Sequence, residues 1–351
     1  MLVKYLGTSY SNKHEKWLPR YEFLENGFFR MTQPKFLNDK SEAKFYPYFD
    51  EYSPADMANA RKRFYISNIN PEPHEPSDEH LINFYLKPAG RRYSVEEFPT
   101  LLGFTEYDSV EKYNEAQRKN LVENIEDFNN FIIEALSCQF GVFSLSKSTK
   151  NKLMWTHYAN NGEGLVVCFD KEHPFFKKSE LQDVSYNKED RASISYVQGT
   201  IRINGESSNH FKLPEDLNVT SLFKRLAPRK QEFEQLAKRL FYTKFDDWGY
   251  EKEMRIVMPL EYCEDRTGSI ANPTFDINMP EELRRTFPDY NEIFLKKISF
   301  DAMESIIFGY STDSISIDKI VEIAKKNPEL KHLKFKKAKI DVFGEVEINN
   351  L

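Results

Sequence analysis

The stretch Tyr242–Val257, reading YTKFDDWGYEKEMRIV, constrains this chain more than any other. Successive side chains of a strand point to opposite faces. As a strand, the segment puts Glu251, Glu253 and Arg255 on one face and Met254, Ile256 and Met258 on the other. The apolar row has to be buried. The charged row is either a solvated ladder, the usual fate of charged residues, or the wall of a cleft with one catalytic carboxylate. The pattern alone leaves both open.

The rest of the chain supplies a mixture of short strands and separate helices. Leu2 to Tyr5 reads as a first strand, and Lys16 to Asn26 as a short helix closed by Gly27 as its C-cap. Phe28 to Met31 follows as a strand, then the polar loop Pro34 to Glu42, whose Asn38-Asp39 pair suits a turn. Apolar residues recur at three- and four-residue steps from Tyr107 to Leu136, the signature of a long amphipathic helix. Gln139 to Ser146, Gly164 to Asp170 and Leu181 to Tyr186 read as strands, the second apolar on both faces. Ser193 to His210 has no clear period. Leu217 to Tyr242 reads as a helix broken at Pro228. Late in the chain come a strand ending near Gly309, a helix over Ile315 to Asn327 with Ser316 as its candidate N-cap, and two alternating strands around Asp341. This pattern predicts an α+β fold with a central mixed or antiparallel sheet and flanking helices. We expect one domain over 1–351, with a mainly helical insert at about 50–137.

Composition narrows the function classes. The net charge is −6, which leaves no bulk electrostatic footprint for nucleic acid. Two local basic runs remain: seven Lys/Arg from Lys224 to Lys244 and seven Lys from Lys325 to Lys339, runs that are most often solvated faces. With 13 Gly in 351 residues, a glycine-rich nucleotide-binding fold is disfavoured. No apolar run is long enough to span a bilayer, and the first residues lack the apolar region of a signal peptide. Cys138, Cys168 and Cys263 are scattered and odd in number, fitting neither a zinc site nor a disulfide frame. The expectation is a cytoplasmic protein with reduced thiols and no membrane partner.

Few motifs carry chemistry. The seven His have no zinc spacing. Asp39, Glu42, Glu251 and Glu253 would hold a hard cation only if the fold joined them. There is no nucleophile elbow and no phosphate loop. The run Trp155-Thr156-His157-Tyr158 is the exception. It is either core packing or a site wall, in which imidazole and phenol hold ribose hydroxyls and the indole stacks on a base.

The segment LMWTHYANNGEGLVVCFD resembles the signature of a bacterial domain-of-unknown-function family, number two-nine-seven-one. LVKYLG is similar to that family's first strand, with Leu6 where the family has Arg. FFRMTQPKFLNDKSE resembles its next strand and loop: Asn38, Asp39 and Glu42 align, while Lys40 and Ser41 replace a Pro and an aromatic. Lys244, Trp248, Glu251, Glu253 and Arg255 match its late Lys, Trp and Glu-x-Glu-x-Arg motif, and SIIFGYS its late strand. A weaker likeness is to the ADP-ribosyltransferase plan: an anchored first strand, a Ser- or Tyr-bearing middle element and a late Glu-x-Glu. That likeness implies NAD as co-substrate and no metal. It makes Glu253 the carboxylate at the ribose and oxocarbenium-like centre, and Glu251 the residue orienting the acceptor. Lys4, Tyr5, Asn38, Trp155, His157 and Tyr158 become cofactor-binding candidates. Lys244, Arg229 and Lys230 become substrate-binding candidates for a nucleic-acid or protein acceptor. Family context implies a toxin or defence setting, with a partner protein of such a system. Two other readings stay open: a non-enzymatic binding or regulatory module, and a metal-dependent nuclease using Asp39, Glu42, Glu251 and Glu253.

Overall fold

The computed structural model describes residues 1–11, 16–67, 75–87, 110–197, 200–207, 230–269 and 292–351. The fold is α+β, and the chain forms two compact units. The first is built from Met1–Lys40, Leu136–Tyr186 and Lys244–Leu351, the second from Ser41–Ala135 and Asn187–Thr243.

An eight-stranded mixed sheet organises the first unit. Its strands run, edge to edge, Val346–Asn350, Lys334–Ile340, Met303–Phe308, Leu165–Phe169, Leu2–Leu6, Phe140–Ser146, Glu253–Pro259 and Gln182–Asp183. Neighbours are antiparallel except Met303–Phe308 beside Lys334–Ile340. The strand expected to be apolar on both faces is a central one. Leu165, Val167 and Phe169 enter the larger core, while Val166 and Cys168 enter a second core on the other face. That second core holds Val3, Tyr5 and Trp155. Phe28–Met31 belongs to a three-stranded sheet with Asp265–Ser269 and Glu292–Lys297, and lends Phe29 and Met31 to the larger core.

Several local expectations change. Lys16–Pro19 is a strand paired with Thr8–Ser11, and only Phe23–Asn26 is helical, closed by Gly27 at φ 74°. The late helix, Ser314–Lys326, is capped by Asp313, which accepts from the Ser316 N–H at 2.9 Å; Ser316 lies one turn in, its own hydroxyl donating to Asp313. Of Leu181 to Tyr186 only Gln182–Asp183 pairs as a strand. The ladder stops because the Tyr186 hydroxyl, not a backbone carbonyl, accepts the Glu253 N–H at 3.0 Å.

Several glycines meet backbone closely, and Gly309 offers a test. A Cβ on Gly309 would lie 2.0 Å from the Gly162 carbonyl oxygen, a clash between backbones that no rotamer relieves. Gly309→Ala is expected to cost about 1–3 kcal/mol or more, as forced repacking does, and urea unfolding measures it. An unchanged midpoint would contradict the close approach of these two turns.

The long amphipathic helix spans Val110–Ser137, and its part in the second unit buries Ile125, Phe128, Ile132 and Ala135 at the expected spacing. Pro54–Ser67 and Asp78–Leu81 are also helical. The unit contains a four-stranded sheet as well, to which Ser193–Val197, Thr200–Ile203 and Glu206–Ser207 contribute. Ser193 and Ser195 are buried there, which hid the strand period from a hydropathy reading. Lys230 opens the helix Lys230–Phe241, and Arg229 lies outside the described residues.

Candidate functional site: a buried carboxylate pair

The two carboxylates come from different local structures. Glu251 ends the 3-10 turn Asp246–Glu251, Lys252 takes the left-handed conformation at φ 46°, and the strand starts at Glu253. The expectation that Glu251 continues the strand is therefore corrected. The alternation that follows holds: Met254 and Ile256 enter the core and Met258 packs against it, while Glu253 and Arg255 face the other way. The solvated-ladder reading is overturned as well, because Glu251 is 2% exposed, Glu253 6% and Arg255 1%.

All four carboxylate oxygens are paired. Arg255 binds Glu253 through two nitrogens, Nε to Oε1 at 2.7 Å and a terminal nitrogen to Oε2 at 2.9 Å. Lys244 Nζ lies 2.7 Å from Glu251 Oε2 and 3.5 Å from Glu253 Oε2, bridging the pair. The Tyr158 hydroxyl donates to Glu251 Oε1. Lys244 sits 4.6 Å from the centre of the Trp248 ring, and its backbone N–H is held by the Ser185 carbonyl at 3.0 Å. The Ser146 hydroxyl fixes the turn by donating to the Glu251 carbonyl at 2.6 Å.

This setting drives the two acids apart. Burial raises the Glu251 pKa; Lys244 opposes that shift and Glu253 adds to it. Burial would raise Glu253 too, but Arg255 and Lys244 outweigh it and hold the carboxyl down at about 2. Burial pushes the Tyr158 phenol up, and Tyr186 up to about 12. The stability consequence has a sign. Glu253 is more acidic folded than unfolded, so its contribution is present above about pH 4.5 and fades as pH falls toward 2. Glu251 works oppositely: its contribution is full at low pH and lost as pH rises through its raised value. Melting temperature against pH should therefore fall less steeply from pH 4.5 downward in Glu253→Gln than in wild type. Parallel curves would contradict this.

The sequence candidates are placed unequally. Tyr158, Lys244, Glu251 and Glu253 meet directly, and Asn38 joins through a side-chain hydrogen bond to Tyr158. Trp155 does not reach the site surface: it is 0% exposed, its Nε1 donates to the Thr149 carbonyl at 2.8 Å, and it packs edge-on against Tyr5. It is a core residue and leaves no face for a base. Tyr5 is buried likewise, its hydroxyl donating to the Ser148 carbonyl at 2.9 Å. His157 is exposed at the end of its helix, with its ring 6.4 Å from that of Tyr250. Lys4 lies on the wrong face. Val3 and Glu253 both pair with Ser146 and share its face, so the pleat turns Lys4 to the other side, where its Nζ stands 4.6 Å from the centre of the Phe143 ring. Among the described residues no three of His, Cys, Asp and Glu gather as a metal-binding group.

Three residues were missed. Ser144 hydrogen-bonds Glu253, Ser146 braces Glu251, and Tyr186 receives the Glu253 N–H. The available signal was the Ser-x-Ser of Phe140–Ser146, whose two serines stand opposite Arg255 and Glu253 in the ladder.

No helix among the described residues is long and apolar enough to cross a membrane. No curated protein and no solved structure matches the chain. Residues 154–256 match the model of one family, described as protein of unknown function (DUF2971). That segment runs from Met154, beside Trp155, through the last residues of the buried network, Glu253 and Arg255, and through it the chain resembles the DUF2971 family.

Proposed function

We propose that the chain is an NAD-consuming enzyme of the ADP-ribosyltransferase type, acting at Glu251 and Glu253. The observation that carries this reading is the unequal pairing of two neighbouring buried carboxyls: Arg255 grips Glu253 through two nitrogens and holds it down, while burial raises Glu251, which meets Lys244 and the Tyr158 hydroxyl. Environments that push paired acids apart assign an acid/base division of labour. Glu253 supplies fixed negative charge beside the anomeric carbon. There the bond to nicotinamide breaks, nicotinamide leaving with the electron pair, and a bond to an acceptor oxygen or nitrogen forms. Glu251 takes the acceptor's proton. In this reading Leu2–Leu6, Phe140–Ser146 and Glu253–Pro259, which lie side by side, form the floor under the reacting bond, and Ser144 holds Glu253 by a hydrogen bond. Protein or nucleic acid is the acceptor in this reading.

One observation favours a second reading, a binding module in which the cluster only knits the fold. Every oxygen of the pair is already satisfied within the chain. Chromatography of NAD incubated with the purified chain and candidate acceptors separates the two. Release of nicotinamide with a labelled acceptor supports the enzyme. Intact NAD with every acceptor leaves the binding module.

A further inference from the structure

The large sheet has two unlike edges among the described residues. Gln182–Asp183 is two residues long and offers little to pair with. Val346–Asn350, at the other edge, reads VEINN, and its register against Lys334–Ile340 runs without a bulge. Shortness, Lys, Pro and bulges ordinarily blunt an edge strand, and this one has none of them. Its one charge, Glu347, stands opposite Lys339 of its own hairpin.

Hydrogen bonding fixes which groups look outward. The Asp341 N–H donates to the Glu345 carbonyl at 2.9 Å, and the Leu351 N–H to the Phe335 carbonyl at 3.1 Å. Bonded and non-bonded pairs alternate along an antiparallel ladder. Glu345, Glu347, Asn349 and Leu351 therefore bond inward, and the N–H and C=O groups of Val346, Ile348 and Asn350 point away from the sheet.

This edge is complementary to itself. Paired antiparallel with a second copy about Ile348, Val346 meets Asn350 and Ile348 meets Ile348, each pair exchanging two backbone bonds. Val346 and Ile348 already pack with Ala338 in the core of Val3, Tyr5 and Trp155, so the paired isoleucines carry that core across the junction. On the other face Glu347 meets Asn349 and no like charges are opposed. Sliding the pairing to centre on Glu347 would set two carboxylates against each other. At each end Leu351 of one copy, 61% exposed, comes opposite Glu345 of the other, beside the turn where Val342 and Phe343 are 93% and 86% exposed.

We propose that Val346–Asn350 is a homodimer junction, joining the large sheets of two copies of this chain about a two-fold axis at Ile348. The dimer does not depend on the NAD reading.

Sedimentation velocity of the full chain over a wide range of concentration tests it. Wild type is expected to pass from monomer to dimer as concentration rises. Asn350→Pro removes an outward donor from each copy and no inward bond, so it should weaken the dimer by about tenfold or more. At concentrations where both are monomeric it should melt with wild type. Asn349→Glu should weaken the dimer by about threefold or more, because it opposes Glu347 of the other copy, while within its own chain it faces Lys337. Amide exchange locates the junction: the Ile348 and Asn350 N–H groups should slow as the dimer forms, while those of Glu347 and Asn349, already bonded inward, should not. A chain that stays monomeric, or a dimer that neither variant weakens, overturns the junction. A dimer with unchanged exchange at Ile348 does so equally. Should Asn350→Pro fail to fold, Asn349→Glu and the exchange of wild type decide. A dimer that leaves NAD intact keeps this junction and loses only the enzyme reading.

Discussion

Arg255→Met is expected to lower the unfolding free energy by about 3–5 kcal/mol, the usual cost of removing one partner from a buried ion pair. Arg255 is 1% exposed and meets Glu253 through two nitrogens. Its loss leaves a carboxylate in the sheet with Lys244, 3.5 Å away, as its remaining ion-pair partner. Desolvation then dominates, and the Glu253 pKa should rise from about 2. The double variant Arg255→Met with Glu253→Leu should recover part of the loss, since a buried pair replaced by apolar side chains is often neutral. Urea unfolding of Arg255→Met, Glu253→Leu and the double variant closes this cycle. A single-variant cost below about 1 kcal/mol, the range of exposed pairs, would mean that the pair is solvated.

The other large effect is on the proposed reaction. Glu253→Gln keeps the shape and removes the fixed charge, and should cut nicotinamide release by about 100-fold or more, as loss of transition-state electrostatics does. Glu251→Gln should cut it by a similar order, within the 10²–10⁴ range typical of general acid–base groups. The two variants differ in pH dependence. With Glu251 present, release should rise as that raised carboxyl loses its proton, because only the carboxylate accepts one. Glu251→Gln should flatten this limb, whereas Glu253→Gln should retain it on a lower rate. Retention of the limb in Glu251→Gln would remove Glu251 from the role of base.

What was legible in the sequence follows the strength of the period. Met254 and Ile256 alternate with Glu253 and Arg255, and a one-residue slip would bury the wrong row, so that strand could be placed. The long helix was legible because Ile125, Phe128 and Ile132 repeat along one stripe. The turn before Glu253 was not: it depends on Lys252 adopting φ 46°, which few non-glycine residues take and no local pattern announces. Trp155 and His157 show a second limit. Neighbours on a helix point in directions about 100° apart, so a Trp-x-His-Tyr run spreads over several surfaces. Trp155 went to the core, His157 to solvent and Tyr158 to Glu251. The charged row was ambiguous because a strand pattern fixes which residues share a face, while covering that face takes residues as remote in sequence as Tyr158 and Lys244.

The central claim is that one environment holds two carboxyls apart. Carbon-13 NMR of the side-chain carboxyls, with Glu251 and Glu253 assigned through their Gln variants, measures it directly. The predicted result is that Glu253 titrates near 2 and Glu251 above its ordinary 4.5. Two midpoints both close to 4.5 would contradict the account, since exposed carboxyls behave that way and buried, differently paired ones do not.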